Sequence, residues 1–106
     1  IITGDLATVG SELLADLLKM DNLSIQGRHK DCGLMIFDIE KQEVGVGGSG
    51  CGCCATVLTS EILERMEKGE YKNVLFAATG ALLSPTTTLQ GETIPSISHL
   101  LHLTTA

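Results

Sequence analysis

Three of the four cysteines crowd into one short run, Cys51, Cys53 and Cys54, with Cys32 standing apart. Thiolates are good ligands for zinc and iron, so a metal cluster is the first chemistry to weigh. Structural zinc sites space their cysteines by two to four residues on a turn. Here the run Gly47-Gly48-Ser49-Gly50-Cys51-Gly52-Cys53-Cys54 opens a helix, and adjacent helical residues point in different directions. Convergent metal ligation is therefore disfavoured, and no metal site is expected. Cysteine is also a small, weakly polar residue that packs well. With Gly50, Gly52 and Ala55 it would let the helix start lie close to neighbouring strands. A helix start has a functional reading as well. Its unpaired N–H groups and partial positive charge can hold a carboxylate or an oxyanion, and the same dipole lowers the pKa of a thiol placed at Cys51.

The remaining polar groups suggest no catalytic set. His99 and His102 lie in one apolar run, where a strand would turn them to opposite faces. His29 falls in a polar stretch, and packing or exposure is expected for all three. Thr3, Asp5, Ser49 and Ser84 sit near the ends of expected strands, where open α/β sheets place ligands. A turn or cap role is the ordinary one for such residues.

These groups need elements to hold them. Ile1-Ile2-Thr3 reads as a buried strand followed by a Gly4-Asp5 turn. A helix is expected from between Thr8 and Ser11 to about Met20, with either hydroxyl as N-cap. Val9, Leu13, Leu14, Leu17 and Leu18 would face inward, opposite Glu12, Asp16 and Lys19. A polar loop spans 22–31, and strands are expected at Gly33-Leu34-Met35-Ile36-Phe37 and Val44-Gly45-Val46. The second helix is expected over about 51–68, with Ala55, Leu58, Ile62, Leu63 and Met66 inward. Glu61 with Arg65, and Glu64 with Lys68, have the acid-then-base spacing of four that supports a helix. Gly69 supplies the stop. Val74-Leu75-Phe76-Ala77-Ala78-Thr79 reads as a strand covered on both faces, Gly80 and Ser84-Pro85-Thr86 as turn or loop, Gln90-Gly91-Glu92 as a turn, and 97–103 as a last strand. The alternation is that of an α/β layer.

Bulk properties narrow the partners. A chain of 106 residues suits one domain. Its formal charge of -6, with no basic stripe, disfavours nucleic acid. No apolar run approaches the roughly 20 residues of a spanning helix, and no signal-like segment opens the sequence. A soluble chain without disulfides is expected. The start at Ile1 without Met suggests a piece of a longer protein.

The ordered series of segments carries more than any one of them. Ile1-Ile2-Thr3-Gly4-Asp5-Leu6, Asp31-Cys32-Gly33, Gly47-Gly48-Ser49-Gly50-Cys51-Gly52-Cys53, Ala78-Thr79-Gly80-Ala81-Leu82-Leu83-Ser84-Pro85 and Gln90-Gly91-Glu92-Thr93-Ile94-Pro95-Ser96-Ile97 together resemble the stage V sporulation protein AD family. The resemblance spans essentially the whole chain. It implies a thiolase-like fold of two similar α/β halves, with residues 1–106 as most of the C-terminal half and a mixed sheet covered by helices. It also implies a role in endospore-forming bacteria: binding dipicolinic acid and supporting its uptake into the developing spore. Membrane proteins of the same operon would be partners, and the location would be the spore or forespore, peripheral to its inner membrane. Without its N-terminal half the chain is expected to self-associate through exposed apolar surface.

The same resemblance implies losses. Condensing enzymes of this fold carry a His at the position of Thr3 and an Asn at the position of Ser49, which polarise a thioester carbonyl. Thiolases add a cysteine in the loop that here reads Thr79-Gly80-Ala81, and the nucleophilic cysteine lies in the other half. The expectation is a non-catalytic binding protein without a cofactor, with dipicolinate or its calcium complex as ligand. An acyl-CoA-dependent acyltransferase or condensing enzyme is the alternative. The resemblance places the ligand against Thr3, Asp5, Ser49, Gly50, Cys51, Thr79, Gly80 and Ala81.

Overall fold

Two residues start the sheet. Ile2 and Thr3 form β1 (Ile2–Thr3), and both are buried, one toward each face. The chain then runs through α1 (Ala7–Met20), β2 (Lys30–Asp31), α2 (Cys32–Ile36), α3 (Cys53–Val57), a π-helical turn (Leu58–Ile62), α4 (Leu63–Glu67), β3 (Asn73–Ala81), α5 (Pro85–Leu89) and β4 (Ser96–Thr104). The computed structural model describes residues 1–43, 53–81, 85–93 and 96–105. The sheet order is β2-β1-β3-β4. β1 pairs in parallel with β2 and β3, whereas β3 and β4 run antiparallel from Asn73 opposite Thr104 to Ala81 opposite Ser96. This is the mixed α/β sheet expected of half a thiolase-like fold.

The core lies on one face of that sheet. Ile2, Val74 and Phe76 meet Cys53, Val57, Ile62 and Met66 of the long helical segment, with Cys32 beside them. A fully buried aliphatic side chain contributes about 1.5–3 kcal/mol, so this stripe dominates the packing. Its spacing is four, five, four. The five-residue step from Val57 to Ile62 crosses the π-helical turn, whose i→i+5 bonding takes up one extra residue. Hydroxyls bond the carbonyls of the preceding turn: Thr59 Oγ1 donates to Ala55 O at 2.9 Å and Ser60 Oγ to Thr56 O at 2.7 Å.

Several expectations change. The expected inward set included Ala55 and Leu63, yet both are exposed, because the π turn rotates the face. On α1, Leu14 and Leu18 are half-buried, whereas Val9, Leu13 and Leu17 are 53%, 59% and 61% exposed. α1 starts at Ala7 with Leu6 in the N-cap position and no side-chain cap there. The 33–37 run is helical rather than extended, forming α2. Lys30 and Asp31, expected in a loop, form a strand, and the expected Ser84-Pro85-Thr86 loop meets α5 at Pro85. β3 is covered on one face only, since Leu75 on the other is 38% exposed. Gly80 and Ala81 continue β3 instead of turning. The strand expected over 44–46 lies outside the described residues.

The ion pairs Glu61–Arg65 and Glu64–Lys68 both form, and Gly69 adopts a φ of 78° just beyond α4. β4 covers the expected 97–103 strand and one residue more at each end.

Candidate functional site

Three chain segments converge where the parallel strands end. The turn after β1 brings Gly4 against β3, and Gly4 N–H donates to Ala77 O at 2.8 Å. A Cβ on Gly4 would stand 3.0 Å from Thr79 N and 3.2 Å from Cys54 Cβ. A side chain here would press on the Thr79 backbone, so glycine suits the close approach of β1, β3 and the start of α3. One residue on, Asp5 N–H donates to Thr79 Oγ1 at 2.7 Å. Thr3, Asp5 and Thr79 are therefore brought together, with Gly80 and Ala81 following in β3. Ser49, Gly50 and Cys51 lie outside the described residues.

Placement also reassigns some roles. Thr3 is 1% exposed and Asp31 2% exposed, so neither presents itself to a ligand. Thr3 Oγ1 lies 2.6 Å from Asp31 Oδ1 and 2.8 Å from His29 Nε2. A carboxylate only accepts, so the hydroxyl proton goes to Asp31 and the Thr3 oxygen accepts from Nε2–H of His29. This chain fixes the imidazole tautomer. Burial lowers the His29 pKa, and the Asp31 carboxylate partly opposes that shift, which keeps the ring neutral at pH 7. Thr79-Gly80-Ala81 is paired strand rather than free loop, standing opposite Ser98, Ile97 and Ser96.

Asp31 does further work at the entrance of α1. Its Oδ1 accepts Leu6 N–H at 2.8 Å and its Oδ2 accepts Ala7 N–H at 3.1 Å. A carboxylate at a helix N-terminus is favoured by the dipole. Ala7 has a φ of 55°, a left-handed conformation that costs a non-glycine residue about 1–3 kcal/mol. The buried carboxylate offsets that strain. Neither Asp31 nor His29 is conspicuous in sequence, because the partners they serve lie more than twenty residues away; the sole signal is that Asp31 opens the Asp31-Cys32-Gly33 segment.

Two thiols here, Cys32 and Cys53, are buried. Cys32 is fully buried, and burial, with Cys53 and Asp31 nearby, pushes its pKa up to about 12. Burial and then the Asp5 carboxylate raise Cys53 as well. Cys32, Cys53 and Cys54 are all free. Among the described residues no group of three or more His, Cys, Asp or Glu is arranged to hold a metal ion. Among the described residues, what this end of the sheet offers is a tight junction with one half-buried carboxylate, Asp5.

His99 and His102 occupy opposite faces of β4 and are both exposed, and His102 Nε2 lies 3.3 Å from Asn73 Oδ1. Among the described residues no helix is long and apolar enough to cross a membrane.

Comparison with known proteins places residues 1–104 within the family described as Stage V sporulation protein AD (SpoVAD). A relative from Bacillus subtilis (strain 168), named Stage V sporulation protein AD, is 48% identical over 99 residues. The match covers 93% of this chain and 29% of that relative, so the chain spans less than a third of the relative's length.

Proposed function

This chain belongs to the Stage V sporulation protein AD family of sporulation proteins, and from that premise we propose that it binds dipicolinic acid and supports its uptake into the spore without catalysing a reaction. The observation that carries this reading is the convergence at Gly4 of the β1 turn, Thr79 and Cys54. It puts strand-end groups of this chain around one point, where α/β sheets receive ligands. The non-catalytic part is supported by Thr3. Its hydroxyl is buried and engaged by Asp31 and His29, so it does not polarise a carbonyl.

Asp5 bears on the form of the ligand. A lone carboxylate repels a dianion but suits a hard cation that takes oxygen ligands. The calcium complex is therefore the favoured cargo. In this reading the chain is most of the C-terminal half of a two-half protein. The other half completes the pocket, and membrane proteins encoded with it receive the ligand. Calorimetric titration of the full-length protein with dipicolinate, with and without calcium, tests this. Binding by the full-length protein, weakened by Asp5→Asn in the presence of calcium, is expected, with none for the isolated chain. Full-length protein that takes up no dipicolinate would remove the reading.

The exposed stripe Val9, Leu13, Leu17 and Met20 on α1 supports a covered position for that helix in the whole protein, since patches of this kind drive association. The isolated chain then self-associates. A concentration-independent monomer in light scattering contradicts this.

One observation favours acyl transfer as a second reading. The His29 imidazole lies beside Thr3, the position that carries a His in condensing enzymes. An acyl adduct on the full-length protein after incubation with an acyl-CoA, seen by mass spectrometry, would establish it.

A further inference from the structure

The two edges of the sheet are protected unequally. At one edge β2 is two residues long and carries the exposed Lys30, and short, charged edges resist pairing with a further strand. At the other edge, among the described residues, stands β4, nine residues from Ser96 to Thr104. It contains no Lys, Arg, Asp, Glu or Pro. Its pairing with β3 runs residue for residue, without a bulge, from Thr104 opposite Asn73 to Ser96 opposite Ala81. Neither charge, proline nor bulge therefore blunts it. The free side of such a strand carries a row of N–H and C=O groups that another strand can take up.

The side chains of β4 add apolar surface on both faces. Ile97, Leu100 and Leu101 are 60%, 63% and 50% exposed. Strand alternation puts Ile97, His99, Leu101 and Leu103 on the face of Val74 and Phe76, and Ser98, Leu100 and His102 on the other. This order is nearly symmetric about Leu100, the middle residue of the strand. A two-fold axis normal to the sheet sets two copies of β4 antiparallel and keeps each face on its own side. With the axis at Leu100 the strands overlap along their whole length. Leu100 then meets Leu100 of the second copy, Ile97 meets Leu103, Ser98 meets His102 and His99 meets Leu101. Apolar residues face apolar ones, and the Ser98 hydroxyl faces an imidazole with which it can share a hydrogen bond. Only His99 against Leu101 is mixed. Moving the axis to Leu101 sets Leu100 against His102 and His99 against Leu103, and moving it to His99 sets Ser98 against Leu100. The strand matches itself best in full register, and it carries no lysine, arginine or carboxylate to repel its own copy.

We propose that β4 is a homodimer interface of the whole protein, in which a second copy of this chain pairs its own β4 antiparallel about a two-fold axis at Leu100. Two four-stranded sheets then become one continuous sheet. An isologous contact needs one patch that serves both partners, and the near-symmetric order about Leu100 supplies it. A strand from a different protein needs no such symmetry, so the pattern favours a second copy. The contact uses a different surface from the α1 stripe, and it does not depend on a ligand at the Gly4 junction.

The full-length protein tests this. Leu100→Cys places two thiols opposite each other on the axis, within the Cα separation of about 7 Å that a disulfide tolerates. Ile97→Cys is the comparison, since its two copies would stand roughly 20 Å apart along the paired strands. Under mild oxidation with copper–phenanthroline, Leu100→Cys is expected to form a covalent dimer at least about tenfold faster than Ile97→Cys or the parent protein, whose own cysteines set the background. Leu100→Lys sets two like charges face to face and is expected to raise the dimer dissociation constant at least about tenfold in sedimentation. Full-length protein that stays monomeric over the micromolar range would overturn the proposal. So would equal cross-linking of the two cysteine variants, or a dimer that Leu100→Lys leaves intact. Should Leu100→Lys fail to fold, the cross-linking comparison decides the matter.

Discussion

The two ends of β3 are built on opposite principles. At Thr79 the chain is closed: Thr3 and Asp31 are buried, their oxygens are engaged, and Gly4 fills the last space between β1, β3 and α3. At Asn73 the chain is open, with Arg28 and Lys30 exposed and without carboxylate partners among the described residues. Buried polar groups that satisfy one another hold a fold. Charges left unmatched at the surface contribute little to stability. Burial therefore marks the end fixed by internal contacts, and unmatched charge marks the end whose cations take no part in them.

The contrast predicts its largest effect at Asp31. Asp31→Ala removes the acceptor of the Thr3 hydroxyl and of the Leu6 and Ala7 N–H groups together. It also releases the strained φ of Ala7. Hydrogen bonds to a charged group contribute about 1.5–3 kcal/mol each, and their loss at one site is not additive. A destabilisation of about 3 kcal/mol or more is expected in urea unfolding. A loss below about 1 kcal/mol would mean that the network is incidental and the two ends are alike.

Most of the sheet was legible in sequence. Val74 to Thr79 is a strand-length apolar run, and the turn at Gly91 precedes β4 as expected. Over its described part, 53–67, the long helical segment was legible as helix but not in facing, because a 4-5-4 stripe fits no single period and the π turn has no sequence mark of its own. α2 was misread for a related reason: five apolar residues carry no decisive period. In the structure, Asp31 and Phe37 on either side are extended and the residues between are helical. The site was legible in part. Thr3, Asp5 and Thr79 lie near strand ends, and strand ends can be read from patterning. The Asp31 cap of α1 could not be read, since caps are sought within a turn of the helix and this one arrives from β2.

A smaller effect separates the ends by pH. Cys32, next to Asp31 in the buried end, has its pKa raised to about 12 by burial first and by Cys53 and Asp31 next. A raised folded pKa favours the protonated native state. Stability is then fully present below the ordinary thiol range near 9 and declines as pH rises toward 12. One such group gives a slope of up to about 1.4 kcal/mol per pH unit. Unfolding followed between pH 8 and 11 should show that decline, and Cys32→Ala should flatten it whatever it does to stability at neutral pH. An unchanged slope in the variant would mean that other groups govern the alkaline limb.

The smallest expected effect lies at the open end. Arg28 and Lys30 make no carboxylate pair among the described residues, and both are exposed. Replacing them with Gln should move unfolding stability by no more than about 0.5 kcal/mol, the usual range for surface positions. The Lys30 backbone keeps its place opposite Ile2, so the sheet does not depend on its charge. Unchanged stability separates an open surface from a structural one. A loss of stability comparable to that of Asp31→Ala would show that the cations hold the fold, and the division between the two ends would then fail.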